Sequence, residues 1–212
     1  MKSLLILGAG GHGRVVADAA SLLGFIKIAF LDDADIRPAI PNPFEIIGKI
    51  SHLENFSLHW KTAIVAIGNN EARLHYFQRL KEFGFDAPAV VHPTAVVSRH
   101  AQIGGGVFIA AGAIVNIGAR IGNAAILNTG STIDHDCVVG DGAHISPGAN
   151  LAGSVSVGER AWVGIGASIR EGMRVGTDSI VGAGSAVVSN VPDSATVVGT
   201  PAKVLKKGHT FC

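Results

Sequence analysis

Asp134-His135-Asp136 places one imidazole between two carboxylates. A carboxylate beside a histidine fixes the ring tautomer and raises its basicity, which a general base requires. Asp136 shares a bend with His135 in the repeat described below, so it is the better partner. A solvated polar bend with no catalytic duty has the same composition. Near the N-terminus, Gly8-Ala9-Gly10-Gly11-His12-Gly13 matches the G-x-G-x-x-G pattern. Such glycines let a backbone approach a pyrophosphate at a helix N-terminus. Asp32 or Asp33 follows about 20 residues on, where a carboxylate meets a ribose hydroxyl. From the residues alone the turn reads three ways: a dinucleotide site, a nucleoside diphosphate site, or a turn that only packs. Gly68-Asn69-Asn70 ends a neighbouring apolar run, at the strand end where open α/β sheets gather ligands. Either asparagine also suits a helix N-cap.

A six-residue repeat decides where the first group sits. Val, Ile or Leu recurs at every sixth position from Val91, Val97, Ile103 and Ile109 through to Val181 and Val187. A short fixed repeat marks a solenoid whose coils bury their apolar faces on one another. Six residues are too few for a helical repeat and are not the coiled-coil heptad. The pattern predicts a parallel β-helix with one hexad per side and roughly three hexads per coil. Four residues after each aliphatic stands a mostly small one, such as Ala113, Ala119, Ser131 or Cys137. A narrow prism with one large and one small inward side chain per hexad demands this. Cys137 is therefore expected as a buried thiol. Glycines directly after the aliphatic, such as Gly104, Gly122, Gly140 and Gly158, are read as corner residues with φ > 0.

In this phase His135 stands at a corner and His144 points outward, so neither belongs to the core. A coil of about 18 residues stacks Gly153 beyond His135 and Trp162 beyond His144. Gly153 leaves space and a bare N–H beside the imidazole. An outward tryptophan is expected to meet a ligand or another subunit. His52, His59, His75, His92, His100 and His209 have no comparable setting.

The first 90 residues follow a different rule. Short apolar runs at 4–7, 27–31, 46–50, 62–67 and 87–91 predict strands. Helical patterns at 14–23 and 71–83 end at Gly24 and Gly84, and 51–56 predicts a short helix. Pro38, Pro41 and Pro43 make 36–44 a loop. Strands alternating with helices predict a parallel α/β sheet. The organisation is thus an N-terminal Rossmann-like half domain over 1–90 and a β-helix with a C-terminal tail over 91–212. One mononucleotide half suits a nucleoside diphosphate better than a dinucleotide.

Composition limits the partners. Hydrophobic residues make up 48% and charged ones 16%, against disorder. A net charge of +1 offers no electrostatic case for nucleic acid or an acidic membrane. Residues 101–119 lack charge, but the hexad phase runs through them unbroken, so no membrane insertion is expected. The run at 4–7 is too short for a signal peptide. Two cysteines make no disulfide framework and suit a reducing, cytoplasmic setting.

Asn128-Thr129 ahead of Asp134-His135-Asp136-Cys137-Val138-Val139-Gly140, with His144 following, resembles the hexapeptide-repeat acyltransferases. Gly10-Gly11-His12-Gly13, Phe30-Leu31-Asp32-Asp33, Ile67-Gly68-Asn69-Asn70 and Gly199-Thr200-Pro201-Ala202-Lys203 sharpen the match. Together they resemble bacterial N-acetyltransferases that modify nucleotide-linked 4-amino sugars on the way to bacillosamine or perosamine. Sialic acid O-acetyltransferases are similar relatives. The resemblance covers nearly the whole chain and implies a left-handed parallel β-helix, a homotrimer, and acetyl-CoA bound between adjacent β-helices. It implies His135 as general base and Asp136 tuning it, where these relatives often carry Glu. It implies acetyl-CoA contacts at His144, Gly153, Ile165 and Ala183. Gly10, Gly11, His12, Asp32, Asp33 and Gly68 would hold the nucleotide sugar, so the turn would bind a sugar nucleotide and not NAD. Residues 33–62 match poorly and leave the sugar and base unassigned. No metal is implied.

The chemistry that follows is direct transfer. His135 accepts a proton as the sugar amine attacks the thioester, and a backbone N–H, that of Gly153, steadies the oxyanion. Three rivals stand beside it. One is an O-acetyltransferase acting on a sialic acid or another sugar. The second is a β-helix carbonic anhydrase, for which His100, His135 and His144 lack zinc-ligand spacing. The third is a non-catalytic sugar-nucleotide binder.

Overall fold

The computed structural model describes residues 2–34 and 43–205; most of the proline-rich loop and the end of the tail lie outside these. Strand β1 (Ser3–Leu7) leads through the glycine turn into helix α1 (Gly11–Leu22), then β2 (Lys27–Leu31) and β3 (Glu45–Gly48). A 3₁₀ helix (Ile50–Phe56), β4 (Ala63–Val65) and α2 (Asn70–Glu82) complete the unit. The sheet is parallel in the order β3-β2-β1-β4. Helix α1 starts earlier than residue 14, because Gly10 already serves as N-cap and the turn runs straight into it. Gly24 and Gly84, at φ +79° and +77°, end the two helices. Asn69 caps α2 by accepting the Ala72 N–H at 2.9 Å. Of 87–91 only Val90–Val91 is strand, and it pairs with Phe108–Ile109 in the solenoid.

From Val90 the chain winds as a left-handed parallel β-helix of two- and three-residue strands in sheets of eight, five and six. The inward aliphatic and small positions form one continuous core from Val107 to Ala202, with Cys137 inside it. Each fully buried aliphatic contributes about 1.5–3 kcal/mol before ordering costs. The three faces differ. One bears Phe108, Ile126, His144, Trp162 and Ile180 outward and is the docked face, because Val90, Phe108 and Ile126 share a core with β1 and α1. The arginine face bears Gln102, Arg120, Val138, Ser156 and Arg174. The asparagine face bears Ile114, Thr132, Asn150 and Ser168. Among the described residues no helix is long and apolar enough to cross a membrane.

The expectation for the corner glycines needs correction. Positive φ falls three residues after the aliphatic, at Gly112, Gly118, Gly130 and Gly142, not directly after it. Gly104, Gly122, Gly140 and Gly158 are glycine for a different reason. A Cβ on Gly140 would lie 2.6 Å from the backbone N of Glu159, one coil on. Successive coils approach too closely along this edge for any side chain. Here Asp141 accepts the Asn123 N–H at 2.7 Å and ties neighbouring coils together.

Candidate active site

His135 sits at the edge between the asparagine and arginine faces, between Thr132–Ile133 and Val138–Val139. Its Nδ1 lies 2.9 Å from Asp136 Oδ2. A carboxylate only accepts, so Nδ1 carries the proton and Nε2 keeps a bare lone pair. Asp136 holds φ +60° at the repeat position that is glycine in most other hexads; Asp tolerates this region better than most residues. Asp134 Oδ1 accepts the His135 N–H at 2.7 Å and the Asn116 amide at 2.8 Å, which anchors the bend. Hydrogen bonding to Asp136, with the charge of Asp134 behind it, raises the His135 pKa above the usual imidazole value.

Two glycines cradle this pair. A Cβ on Gly153, one coil on, would lie 2.5 Å from His135 Nε2. A Cβ on Gly118, one coil back, would strike the Asp136 carboxylate. Gly153 therefore keeps clear the flank of the imidazole beside Nε2 and Cε1, which any side chain would fill. The Gly153 N–H has no acceptor among the described residues. Cys137 is not a candidate nucleophile, because burial raises its thiol pKa and its Sγ donates to Ala152 O.

A second concavity, about 470 Å³, opens at the C-terminal ends of β1, β2 and β4, within the range of small-molecule sites. Gly10, Gly11, His12, Asp32, Asp33 and Gly68 all line it. Asp32 bridges the turn by accepting the Ala9 N–H at 2.7 Å and the Ala34 N–H at 2.9 Å. Asp33 accepts the Ser51 N–H at 3.0 Å and so ties the 3₁₀ helix to the cleft rim. A Cβ added to Gly10 or Gly11 would meet nothing within 4 Å, so the start of α1 is open to a ligand. Ile67 and Tyr76, the second of which belongs to no motif, complete the wall.

His12 links this cleft to the docked face, its ring 5.4 Å from that of Phe108 at a steep angle. Two coils above Phe108, His144 stacks on Trp162 at 5.7 Å and 8°. Trp162 is 46% exposed and donates its indole N–H to Ser146 Oγ. The Asn128 amide lies 3.2 Å from His144 Nε2, which makes Nε2 the acceptor and Nδ1 the protonated nitrogen. His144 Nδ1 and His12 Nε2 are buried without a partner among the described residues. Burial, then the charge of Arg73, holds His12 at about 4 and His144 at about 3, so both rings are neutral.

The predicted site residues thus fall into three groups. His135, Asp136 and Gly153 share one edge of the prism. His144 lies on the opposite, docked face with His12 and the cleft. Ile165 and Ala183 stack at the edge between the docked and asparagine faces. Within one chain the prism separates the cleft from His135. Sequence reasoning missed Gly118, Asn116 and the buried Arg73. The first two stand one coil before Asp136 and Asp134, so the repeat offset was their only signal.

Comparison with known proteins agrees with these features. The family model described as the PglD N-terminal domain matches residues 3–80. UDP-N-acetylbacillosamine N-acetyltransferase of Bacillus subtilis (strain 168) is 37% identical over 117 residues, 52% of each chain, so the match spans about half the length of that relative. A variant of perosamine N-acetyltransferase from Caulobacter crescentus, solved with CoA and GDP-perosamine, is 36% identical with a TM-score of 0.92, covering 98% of both chains. The acetyltransferase domain of PglB from Neisseria gonorrhoeae is 40% identical with a TM-score of 0.91, covering 97% of this chain and all of that one.

Proposed function

We propose the following reaction for a chain that belongs to the nucleotide-sugar N-acetyltransferases of the hexapeptide-repeat family. It transfers acetyl from acetyl-CoA to the amine of a nucleotide-linked 4-amino sugar. The observation that carries this is the bare Nε2 of His135, its tautomer fixed by Asp136, on a ring whose flank Gly153 keeps clear. The amine nitrogen attacks the thioester carbonyl, and its proton passes to His135 Nε2. The Gly153 N–H donates to the oxyanion. As the tetrahedral intermediate collapses, the C–S bond breaks and the His135 proton goes to the departing CoA sulfur. No acyl-enzyme forms, since Cys137 is buried and hydrogen-bonded.

The nucleotide lies in the cleft, its diphosphate at the open N-terminus of α1 beside Gly10 and Gly11. Asp33 and Asp32 face its nucleoside. Since cleft and His135 lie on opposite sides of one prism, the site is completed by a neighbouring copy of the chain. A homotrimer supplies such a seam three times over. At each seam His12 and His144 of one chain face His135 and Gly153 of the next, with acetyl-CoA running past Ile165 and Ala183.

The test is incubation with acetyl-CoA and UDP-, GDP- and dTDP-linked 4-amino sugars, read by mass spectrometry of the product and by thiol release. The expected product is a hydroxylamine-stable amide. A hydroxylamine-labile ester would assign O-acetylation instead. Binding of the sugar nucleotide with no thiol release from any acceptor would leave a non-catalytic binder.

A further inference from the structure

Arg73 is fully buried, with 0% exposure, and among the described residues no carboxylate lies within ion-pairing distance. Its guanidinium instead spends its donors on backbone and amide oxygens from both halves of the molecule. Nε donates to Ala124 O at 2.8 Å and Nη2 to Gly142 O at 2.6 Å, both in the β-helix. Nη1 donates to Ile67 O at 2.9 Å and Gly68 O at 3.1 Å, both in the cleft wall. Nη2 also meets Asn70 Oδ1 at 2.8 Å, and Asn70 in turn donates to Arg160 O at 2.9 Å. Burial lowers the Arg73 pKa to about 10, which still leaves it charged at neutral pH.

This arrangement exceeds what joining two units needs. The joint is already closed by the apolar core shared between α1, β1 and the docked face. Burying a cation without a counter-ion is costly, and packed apolar side chains would serve a joint as well or better. What a planar five-donor fork adds is geometry. On one side it fixes the carbonyls of Ile67 and Gly68, which border the sugar-nucleotide cleft. On the other it fixes Gly142, two residues before His144.

We propose that Arg73 is a positioning residue for the transfer reaction, setting the wall of the sugar-nucleotide cleft in register with the strand that carries His144. This rests on the acetyltransferase reading above. It acts through carbonyls, so it moves the bound nucleotide sugar relative to the acetyl donor and leaves the edge bearing His135 and Gly153 untouched.

The test is Arg73→Lys, which keeps the charge but has one nitrogen to reach acceptors that the fork spans. Both KM values and kcat are measured, with UDP and GDP binding by calorimetry as a readout independent of transfer. The expected result is at least about a tenfold rise in KM for the sugar nucleotide, with KM for acetyl-CoA within about twofold. Unchanged kinetics, or a lower melting temperature with both KM values unmoved, overturns the proposal. If Arg73→Lys does not fold, Asn70→Ala decides, since it removes one acceptor and leaves the fork. The same split at smaller size supports the proposal, and its absence overturns it. Wild-type protein that binds UDP or GDP yet transfers no acetyl overturns the acetyltransferase reading itself; weaker nucleotide binding in Arg73→Lys then still bears out the cleft-wall role.

Discussion

A base that must strip a proton from an amine in mid-attack needs one tautomer, one orientation and nothing in front of it. The His135 edge supplies each from a different residue. Asp136 sets the tautomer, Asp134 and Asn116 hold the bend, and Gly153 and Gly118 keep the flanks clear. Three outcomes are expected. His135→Ala lowers kcat about 10²–10⁴-fold, the usual worth of a general base; an unchanged kcat in a steady-state assay removes the mechanism. Asp136 raises the His135 pKa, so the acid limb of the kcat/KM profile lies above the ordinary imidazole value of 6.5. Asp136→Asn removes that support, so its acid limb moves to lower pH and its plateau falls; a limb that stays put refutes the pairing. Gly153→Ala places a methyl 2.5 Å from Nε2 where φ is ordinary. It is expected to keep its melting temperature and lose about 10²-fold or more in kcat/KM, and full activity would show that the thioester lies elsewhere.

At the scale of elements, the solenoid was legible because the side-chain period and the coil period are both written in the sequence. The inward ladder, the stacking of Trp162 on His144 and the opening beside His135 all follow from counting. Backbone demands were less legible. A glycine says only that a Cβ is unwelcome, and Gly140 and Gly142 are glycine for two different reasons, coil contact and positive φ. The α/β half was legible as elements. Its docking was not, since nothing in the run 70–82 marks Arg73 as buried and bound to solenoid turns some 50–70 residues away. The same docking buries two neutral imidazoles, which gives a testable consequence. His12 and His144 fall from 6.5 to about 4 and about 3. Between those values and 6.5 the unfolded chain binds more protons than the folded one, so stability rises with pH. It is fully present above about pH 6.5 and is lost on acidification, at up to about 1.4 kcal/mol per pH unit per group. Melting temperature should fall between pH 7 and pH 5, and His144→Gln should flatten that fall. A variant with the wild-type slope would contradict the assignment.

For the whole molecule, the decisive feature is that the cleft and His135 are built on opposite sides of one prism. The cleft is fixed to the docked face through the His12–Phe108 contact and the shared core. His135 stands at the edge between the other two faces. A rigid prism packed through its centre cannot bend to bring them together, so the proposed reaction requires each site to take its cleft from one chain and its base from another. Two inactive variants should therefore rescue each other. His135→Ala keeps an intact cleft. Gly11→Glu keeps an intact base and sets a carboxylate at the start of α1, where Gly11 has room for a side chain and where the diphosphate would sit. Acid at a helix start does not harm the helix, so the second variant should fold. Co-expressed with different tags and purified through both, the mixed assemblies should regain activity that neither parent has. Each trimer holding both variants has one seam of three that pairs a sound cleft with a sound base, so about a third of the wild-type activity is expected. If the two halves of the site met within one chain, every chain in the mixture would carry one defect and no activity would return.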